Sequence, residues 1–156
     1  MNPVFSLPRP ITKDDATAMA AIHRACFPDA WTAELFADCF TKPEWEGVFG
    51  FGIDHTTDSL AGFIIGRTVF DTNDILTFAV HPEFQGKGIG RMLLTTYLDA
   101  VLCGCILEVA TGNAAAIHLY NAFGFQITAS RRDYYDSPDP AMRDAYVMTR
   151  RGSYSQ

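Results

Sequence analysis

The amino-acid sequence predicts one mixed α/β domain, a central sheet of six to seven strands flanked by about four helices. Three observations predict it. The 156 residues suffice for one well-buried core and fall short of two ordinary domains. Hydrophobic residues make up 48% of the chain and charged residues only 19%, a balance that excludes disorder. Strand-like runs and segments of helical period interleave along the chain, with no repeat, low-complexity tract or linker-like shift in composition.

Taken in order, a short first strand is expected near Phe5 to Ile11. Asp14 or Asp15 can cap a helix whose apolar residues Ala18, Met19, Ile22, Ala25 and Cys26 recur at helical spacing, ended by Phe27-Pro28. Thr32, with Glu34 close behind, can start a second short helix through Leu35, Phe36 and Phe40, closed before Pro43. Strand-like runs follow at Val48 to Ile53, Leu60 to Arg67 and Ile75 to Val80. The polar turn His55-Thr56-Thr57-Asp58-Ser59 separates the first two, and antiparallel pairing suits such connections.

The run Val80-His81-Pro82-Glu83-Phe84-Gln85-Gly86-Lys87-Gly88-Ile89-Gly90-Arg91 then joins a strand to a helix through a Gly-rich turn. Glycines at alternate positions leave the backbone free of Cβ atoms, so successive N–H groups can converge on a pyrophosphate at the helix N-terminus. A P-loop would need Ser or Thr after Gly-Lys, where Gly88 stands, and a dinucleotide fingerprint a third Gly where Arg91 stands. Past the turn, Leu93, Leu94, Tyr97, Leu98, Val101 and Leu102 form a wide apolar stripe, the mark of a helix packed on a sheet.

Cys105 to Ala110 reads as a central strand buried on both faces, and the helix before it predicts a right-handed parallel crossover. Asn113 begins a short helix, Ala114 to Phe123, with Gly124 as its stop before a strand from Phe125 to Ser130. A last strand spans Ala145 to Thr149, leaving Arg131 to Asp144 as a loop long enough to cover a site.

Composition narrows the function classes. Cysteines at 26, 39, 103 and 105 form no CxxC pair and have no histidine at zinc spacing, so a reduced set and no metal are expected. A net charge of −6 and a pI near 5.0 argue against nonspecific nucleic-acid binding and mildly favour a cationic partner. No apolar stretch reaches the roughly 18 residues of a membrane span. The start, Met1-Asn2-Pro3-Val4-Phe5, lacks the cationic and apolar regions of a secretory signal, so a cytoplasmic location is expected.

Five positions could carry chemistry. Glu108 interrupts an apolar strand, where desolvation would raise its pKa toward that of a general base; the alternative is a strand-end charge bonded to a neighbour or facing water. Asn113 and Tyr120, seven residues apart, share a helix face about 10 Å long. That span suits an extended ligand arm, whereas the plain alternative makes Asn113 an N-cap and Tyr120 a core residue. Lys87 and Arg91 could bring positive charge near phosphate. His118 reads as an exposed helix position and His81 as a strand terminus. Arg131-Arg132-Asp133-Tyr134-Tyr135 is either a substrate loop or a plain one.

With these residues in place, the sequence resembles the GNAT superfamily of acyl-CoA-dependent N-acetyltransferases. Gln85, Gly88 and Gly90 fit its phosphate turn, and the likeness extends through Leu107-Glu108-Val109, Asn113-Ala114-Ala115-Ala116, Leu119-Tyr120, Phe123-Gly124-Phe125 and the Arg131 to Tyr135 run. That combination resembles the branch that acetylates the N-terminal alanine of a small-subunit ribosomal protein. The resemblance implies a single GNAT-like domain using acetyl-CoA as cosubstrate and a protein N-terminus as acceptor. It implies Glu108 as base, directly or through water, and Tyr120 as the acid for the departing thiolate. Phe78, Ala79 and Val80 would pair with the pantetheine arm, Gln85, Gly86, Lys87, Gly88, Ile89, Gly90 and Arg91 would enclose the pyrophosphate, and Asn113 would contact the cofactor farther along. Ala110 stands where that branch often carries Arg, and Thr77 where Asn is frequent. A small-molecule amine acetyltransferase and a noncatalytic acetyl-CoA-binding module are the alternatives.

Overall fold

The computed structural model describes residues 4–56 and 59–153. In chain order these form β1 (Arg9–Pro10), α1 (Ala16–Cys26), α2 (Ala33–Asp38), β2 (Val48–His55), β3 (Ser59–Val69), β4 (Thr72–Val80), α3 (Ile89–Asp99), β5 (Gly104–Ala110), α4 (Ala114–Ala122), β6 (Gln126–Arg131) and β7 (Ala145–Arg150). The seven strands make one mixed sheet in the order β1-β2-β3-β4-β5-β7-β6. β2 and β3 are antiparallel. β4 and β5 are parallel, in register from Thr72 against Gly104 to Asp74 against Ile106. β7 runs antiparallel to both β5 and β6, inserted between two strands that precede it in sequence. Thr57 and Asp58 of the expected polar turn, and Met1-Asn2-Pro3 of the expected leaderless start, lie outside the described residues.

The chain divides into two compact units, one of residues up to Thr68 with Ile75–Ala100, the other of Val69–Asp74 with Val101 onward. In the first, β1 is only two residues long, because Pro8 and Pro10 remove N–H donors from the segment expected to pair from Phe5 to Ile11. Arg9 anchors it instead, donating from Nε to Asp54 at 2.7 Å and from Nη2 to Asp15 at 2.8 Å.

Asp15 stands at the N-cap position of α1, but its carboxylate makes no capping hydrogen bond there. Thr12 opens a 3₁₀ turn ahead of the helix, its hydroxyl accepting from the Asp14 N–H while its own N–H donates to Asp15 at 2.9 Å. Asp15 is thus taken by Arg9 and Thr12. For α2 the expected cap holds, with Thr32 Oγ1 accepting from Leu35 N at 3.1 Å, but the helix ends at Asp38 and leaves Phe40 beyond it. The core of this unit gathers Met19 and Ile22 of α1, Phe36 of α2 and Phe63 and Ile65 of β3, all buried. α3 buries Leu93, Leu94 and Tyr97, the last stacked flat on Phe49 of β2 at 5.1 Å.

The second unit is built on β5. Cys105, Leu107 and Val109 are buried, whereas Ile106 and Glu108 on the alternate face are only half-buried. Burial on both faces does not hold, because that second face carries charged side chains. Leu102 is also outside the core, at 49% exposure; α3 ends at Asp99, and past it only Val101 of the expected stripe is buried. Asn113 caps α4 by accepting from Ala116 N at 3.3 Å, and Gly124 stops it with φ of +89°. Arg150 closes the same end, donating from Nε to the Phe123 carbonyl at 2.8 Å.

The segment between β6 and β7 is tied to itself and to the β5–α4 turn. Tyr135 N donates to Arg143 O at 2.9 Å, Arg143 Nε to Ser137 O at 2.8 Å, and Thr111 N to Asp144 O at 2.8 Å. A Cβ on Gly112 would sit 2.5 Å from the Ala141 carbonyl oxygen, so the close approach requires glycine. All four cysteines are free thiols, and burial pushes Cys39 and Cys105 up to about 11, where they are poor nucleophiles. Among the described residues no helix is long and apolar enough to cross a membrane.

His23 of α1 is the buried titratable group of the first core. Its Nδ1 accepts from Trp31 N at 3.0 Å, which leaves Nε2 as the protonated nitrogen of the neutral ring, 3.0 Å from Thr77 Oγ1. Burial lowers its pKa to about 4, against an upward pull from Asp29. The unfolded chain therefore binds a proton that the folded chain refuses between about pH 6.5 and that value. Folding stability should be intact above pH 6.5 and fall by about 3 kcal/mol as the pH drops toward 4. Urea titrations across that range check this, and in His23→Gln the part of the acid slope due to His23 should vanish.

Candidate active site

In the first unit, β4 delivers the chain into the Gly-rich turn. His81 ends the strand, its Nδ1 accepting from Glu83 N at 3.1 Å, the terminus role expected of it. Gln85 Nε2 donates back to the Val80 carbonyl at 2.9 Å, and the Cys26 thiol of α1 donates to the same oxygen at 3.2 Å. The Gln85 side chain therefore closes the turn on itself. Gly86 and Gly88 have φ of +78° and +85°, the left-handed region that glycine alone enters without strain. A Cβ on either would meet nothing within 4 Å, so conformation demands these glycines and the space over them is open.

Gly88 is the N-cap of α3 and offers no side-chain cap, while Ile89 is buried and pins the helix start. The first turn of such a helix presents N–H groups without intrahelical partners at the positive end of its dipole, with Lys87 and Arg91 exposed around it. These residues fit a diphosphate, the charged centre of coenzyme A. Ahead of the turn, Ala79 is buried and Phe78 and Val80 are half-buried.

The second unit brings together the acid–base candidates. Glu108 faces the side of β5 shared by Ile106, which pairs with Asp74, so the two carboxylates lie diagonally on one face. Across β7 the register sets Glu108 against Val147, Val147 against Ala129, and Ala145 against Arg131. The small Ala145 lets Arg131 reach over, and its Nε lies 3.8 Å from Glu108 Oε1. Burial raises the Glu108 carboxyl above the usual carboxylate range, Asp74 raises it further, and Arg131 pulls it back.

Tyr120 on α4 is buried against Phe125, with ring centroids 5.7 Å apart. Burial, with Tyr135 nearby, raises the Tyr120 phenol well above its ordinary value, so it carries its proton throughout the physiological range. Tyr135 meets Tyr134 edge-on at 4.9 Å, and the Arg131 guanidinium lies over the Tyr134 ring at 5.7 Å. Tyr120, Tyr135, Tyr134, Arg131 and Glu108 thus form one run of neighbours. Asn113 uses its Oδ1 in the α4 cap, the plainer of its two expected roles. His118 is exposed on α4, as its position predicts. Among the described residues no group of three or more His, Cys, Asp or Glu is placed to hold a metal ion.

Sequence reasoning missed the partners. Asp74 gave no signal of its own, because its closeness to Glu108 depends on strand register. Arg131 was visible only as part of a mixed basic and aromatic run, and its reach to Glu108 follows once β7 is known to lie between β5 and β6. His23 and Cys26 read as ordinary members of a helical stripe.

The turn makes a direct prediction. Gly88→Ala should cost about 1–2 kcal/mol in unfolding free energy through its left-handed backbone, whereas Gly90→Ala, inside α3, carries no such penalty. Denaturant midpoints for the two variants check it.

Residues 16–125 match the Acetyltransferase (GNAT) family. The [Ribosomal protein bS18]-alanine N-acetyltransferase of Salmonella typhimurium is 36% identical over 132 residues, covering 78% of this chain and 88% of its own. The crystal structure of the ribosomal-protein-S18-alanine N-acetyltransferase from Escherichia coli superposes with a TM-score of 0.85 at 28% identity, over 98% of this chain and 97% of that one. Arabidopsis thaliana Naa50, solved with the bisubstrate analogue CoA-Ac-MVNAL, gives a TM-score of 0.73 at 26% identity over 93% and 99% of the two chains.

Proposed function

We propose that this chain, which belongs to the GNAT family of acetyltransferases, works as a single cytoplasmic domain that moves the acetyl group of acetyl-CoA to the N-terminal α-amine of a protein. The acceptor of choice is an alanine-starting small-subunit ribosomal protein, the substrate type named for the Salmonella and Escherichia coli relatives. The observation that carries the reading is Glu108, a carboxylate raised by burial and set in one neighbourhood with a buried, protonated phenol.

Bound acetyl-CoA would supply the activated thioester. The N–H groups at the start of α3, with Lys87 and Arg91, would hold its diphosphate, and Phe78 to Val80 would offer backbone to its arm. A protein α-amine has a reference pKa of ~7.7–8.0, so Glu108 need remove only one proton from a nearly balanced population before the neutral nitrogen attacks. As the C–N bond forms and the C–S bond breaks, the Tyr120 hydroxyl would hand its proton to sulfur, and the second proton leaving the nitrogen would restore the phenol. Holding the two reactants in line contributes more than either proton transfer.

Turnover on an Ala-starting ribosomal peptide, on the same peptide with a blocked N-terminus and on a panel of free amines tests this. The free N-terminus should be acetylated and the blocked peptide should not. Equal rates on both, or a preference for small amines, would overturn the acceptor assignment. Glu108→Gln and Tyr120→Phe should each lower kcat by about 10²-fold or more while leaving the Kd for acetyl-CoA, read by calorimetry, largely unchanged. Binding without turnover across the whole panel would point to a noncatalytic module.

A further inference from the structure

Glu108 sits in surroundings that work against its charged form, the form a base needs. Its side chain is 22% exposed, burial disfavours its charge, and Asp74 repels it. A carboxyl that has become neutral cannot take a proton from an ammonium. The opposing charge is Arg131, whose Nε is 3.8 Å from Glu108 Oε1.

Arg131, whose side chain is 54% exposed, is aimed by its surroundings. It is the last residue of β6, its row on the sheet passes over the single methyl of Ala145, and its guanidinium rests on the Tyr134 ring at 5.7 Å. The turn that follows is fixed by Asp133 N donating to Asp144 Oδ1 at 2.8 Å. A flat cation laid on an aromatic face gives up little freedom when it also pairs with a carboxylate.

We propose that Arg131 is a positioning residue for proton transfer: laid over Tyr134 and reaching across β7, its guanidinium keeps Glu108 in the ionised form that can accept the amine proton. Tyr134 acts as the shelf that aims it. The proposal rests on Glu108 serving as the base, and it assigns a task to the first residue of the Arg-Arg-Asp-Tyr-Tyr run that acceptor binding alone does not require. The groups facing Glu108 are Asp74 on β4, Arg131 on β6, and Tyr134 and Tyr135 beyond the turn.

Two readouts test it, on wild type, Arg131→Gln, Arg131→Lys and Tyr134→Ala. The first is the carboxyl ¹³C titration of Glu108, assigned by its disappearance in Glu108→Gln, which needs no acceptor. The second is the pH profile of kcat/KM with one fixed peptide, so that the amine's own titration is common to all variants. In Arg131→Gln the Glu108 midpoint should rise by about one pH unit, and kcat/KM at the acid end should fall about tenfold relative to wild type. That deficit should close as the pH rises past the shifted midpoint. Arg131→Lys should restore most of the midpoint, and Tyr134→Ala should give a smaller rise of the same sign.

An unchanged Glu108 midpoint in Arg131→Gln overturns the proposal. So does a loss of activity that is uniform across pH, which would mark Arg131 as an acceptor contact or a structural part. If Arg131→Gln leaves the profile alone while Glu108→Gln abolishes turnover, the role of Arg131 falls and the base assignment stands. Full activity in Glu108→Gln removes both.

Discussion

A carboxylate placed within an otherwise apolar strand is the constraint on which the second unit is built. Glu108 gains reactivity from desolvation, and the same desolvation threatens its charge. The fold meets this by leaving that face of β5 half-open and lining it with polar neighbours, while the opposite face buries Cys105, Leu107 and Val109. Tyr120 shows the complementary arrangement: fully enclosed, it keeps its proton. One environment raises a carboxyl and the other keeps a phenol protonated, the opposite states that the proposed transfer asks of two side chains on adjoining elements.

Under the proposed function the first unit has a different task, that of presenting backbone to an anion. Its turn is rigid from below and bare from above. Ile89 is buried, Gln85 folds back on Val80, and the positive φ values of Gly86 and Gly88 point the chain without any side chain intruding. Cys26 and Gln85 both spend a donor on the Val80 carbonyl, so the last residue of β4 is held from two sides.

Much of this was legible in the sequence, for physical reasons that differ by element. The glycine turn, the stripe of α3, the Asn113 and Thr32 caps and the Gly124 stop are local signals, set by dihedral preference and by hydrogen bonds three residues long. Asp15 reaches the N-cap position without capping, because Arg9, six residues earlier, and Thr12 already hold its carboxylate. β1 shrank because two prolines outweigh an apolar pattern. Glu108 stood out as a charge among apolar residues, but its neighbours did not, since Asp74 and Arg131 reach it through cross-strand register that only the completed sheet fixes. Asn113 was legible as a cap, and the structure adds only that its carbonyl oxygen is occupied there.

The strand order carries a consequence for how the chain acquires its chemistry. In the sheet β6 is bonded to β7 alone, and β7 is made last of the seven. On a nascent chain β6 has emerged with nothing to pair with, and Arg131 has no fixed approach to Glu108, until the residues from Ala145 onward slot into the gap and join both neighbours at once. Non-local closure of this kind is slow compared with helix formation. The glycine turn and α3, by contrast, need only earlier sequence, so under the proposed function the capacity to hold a nucleotide can precede the capacity to react with it.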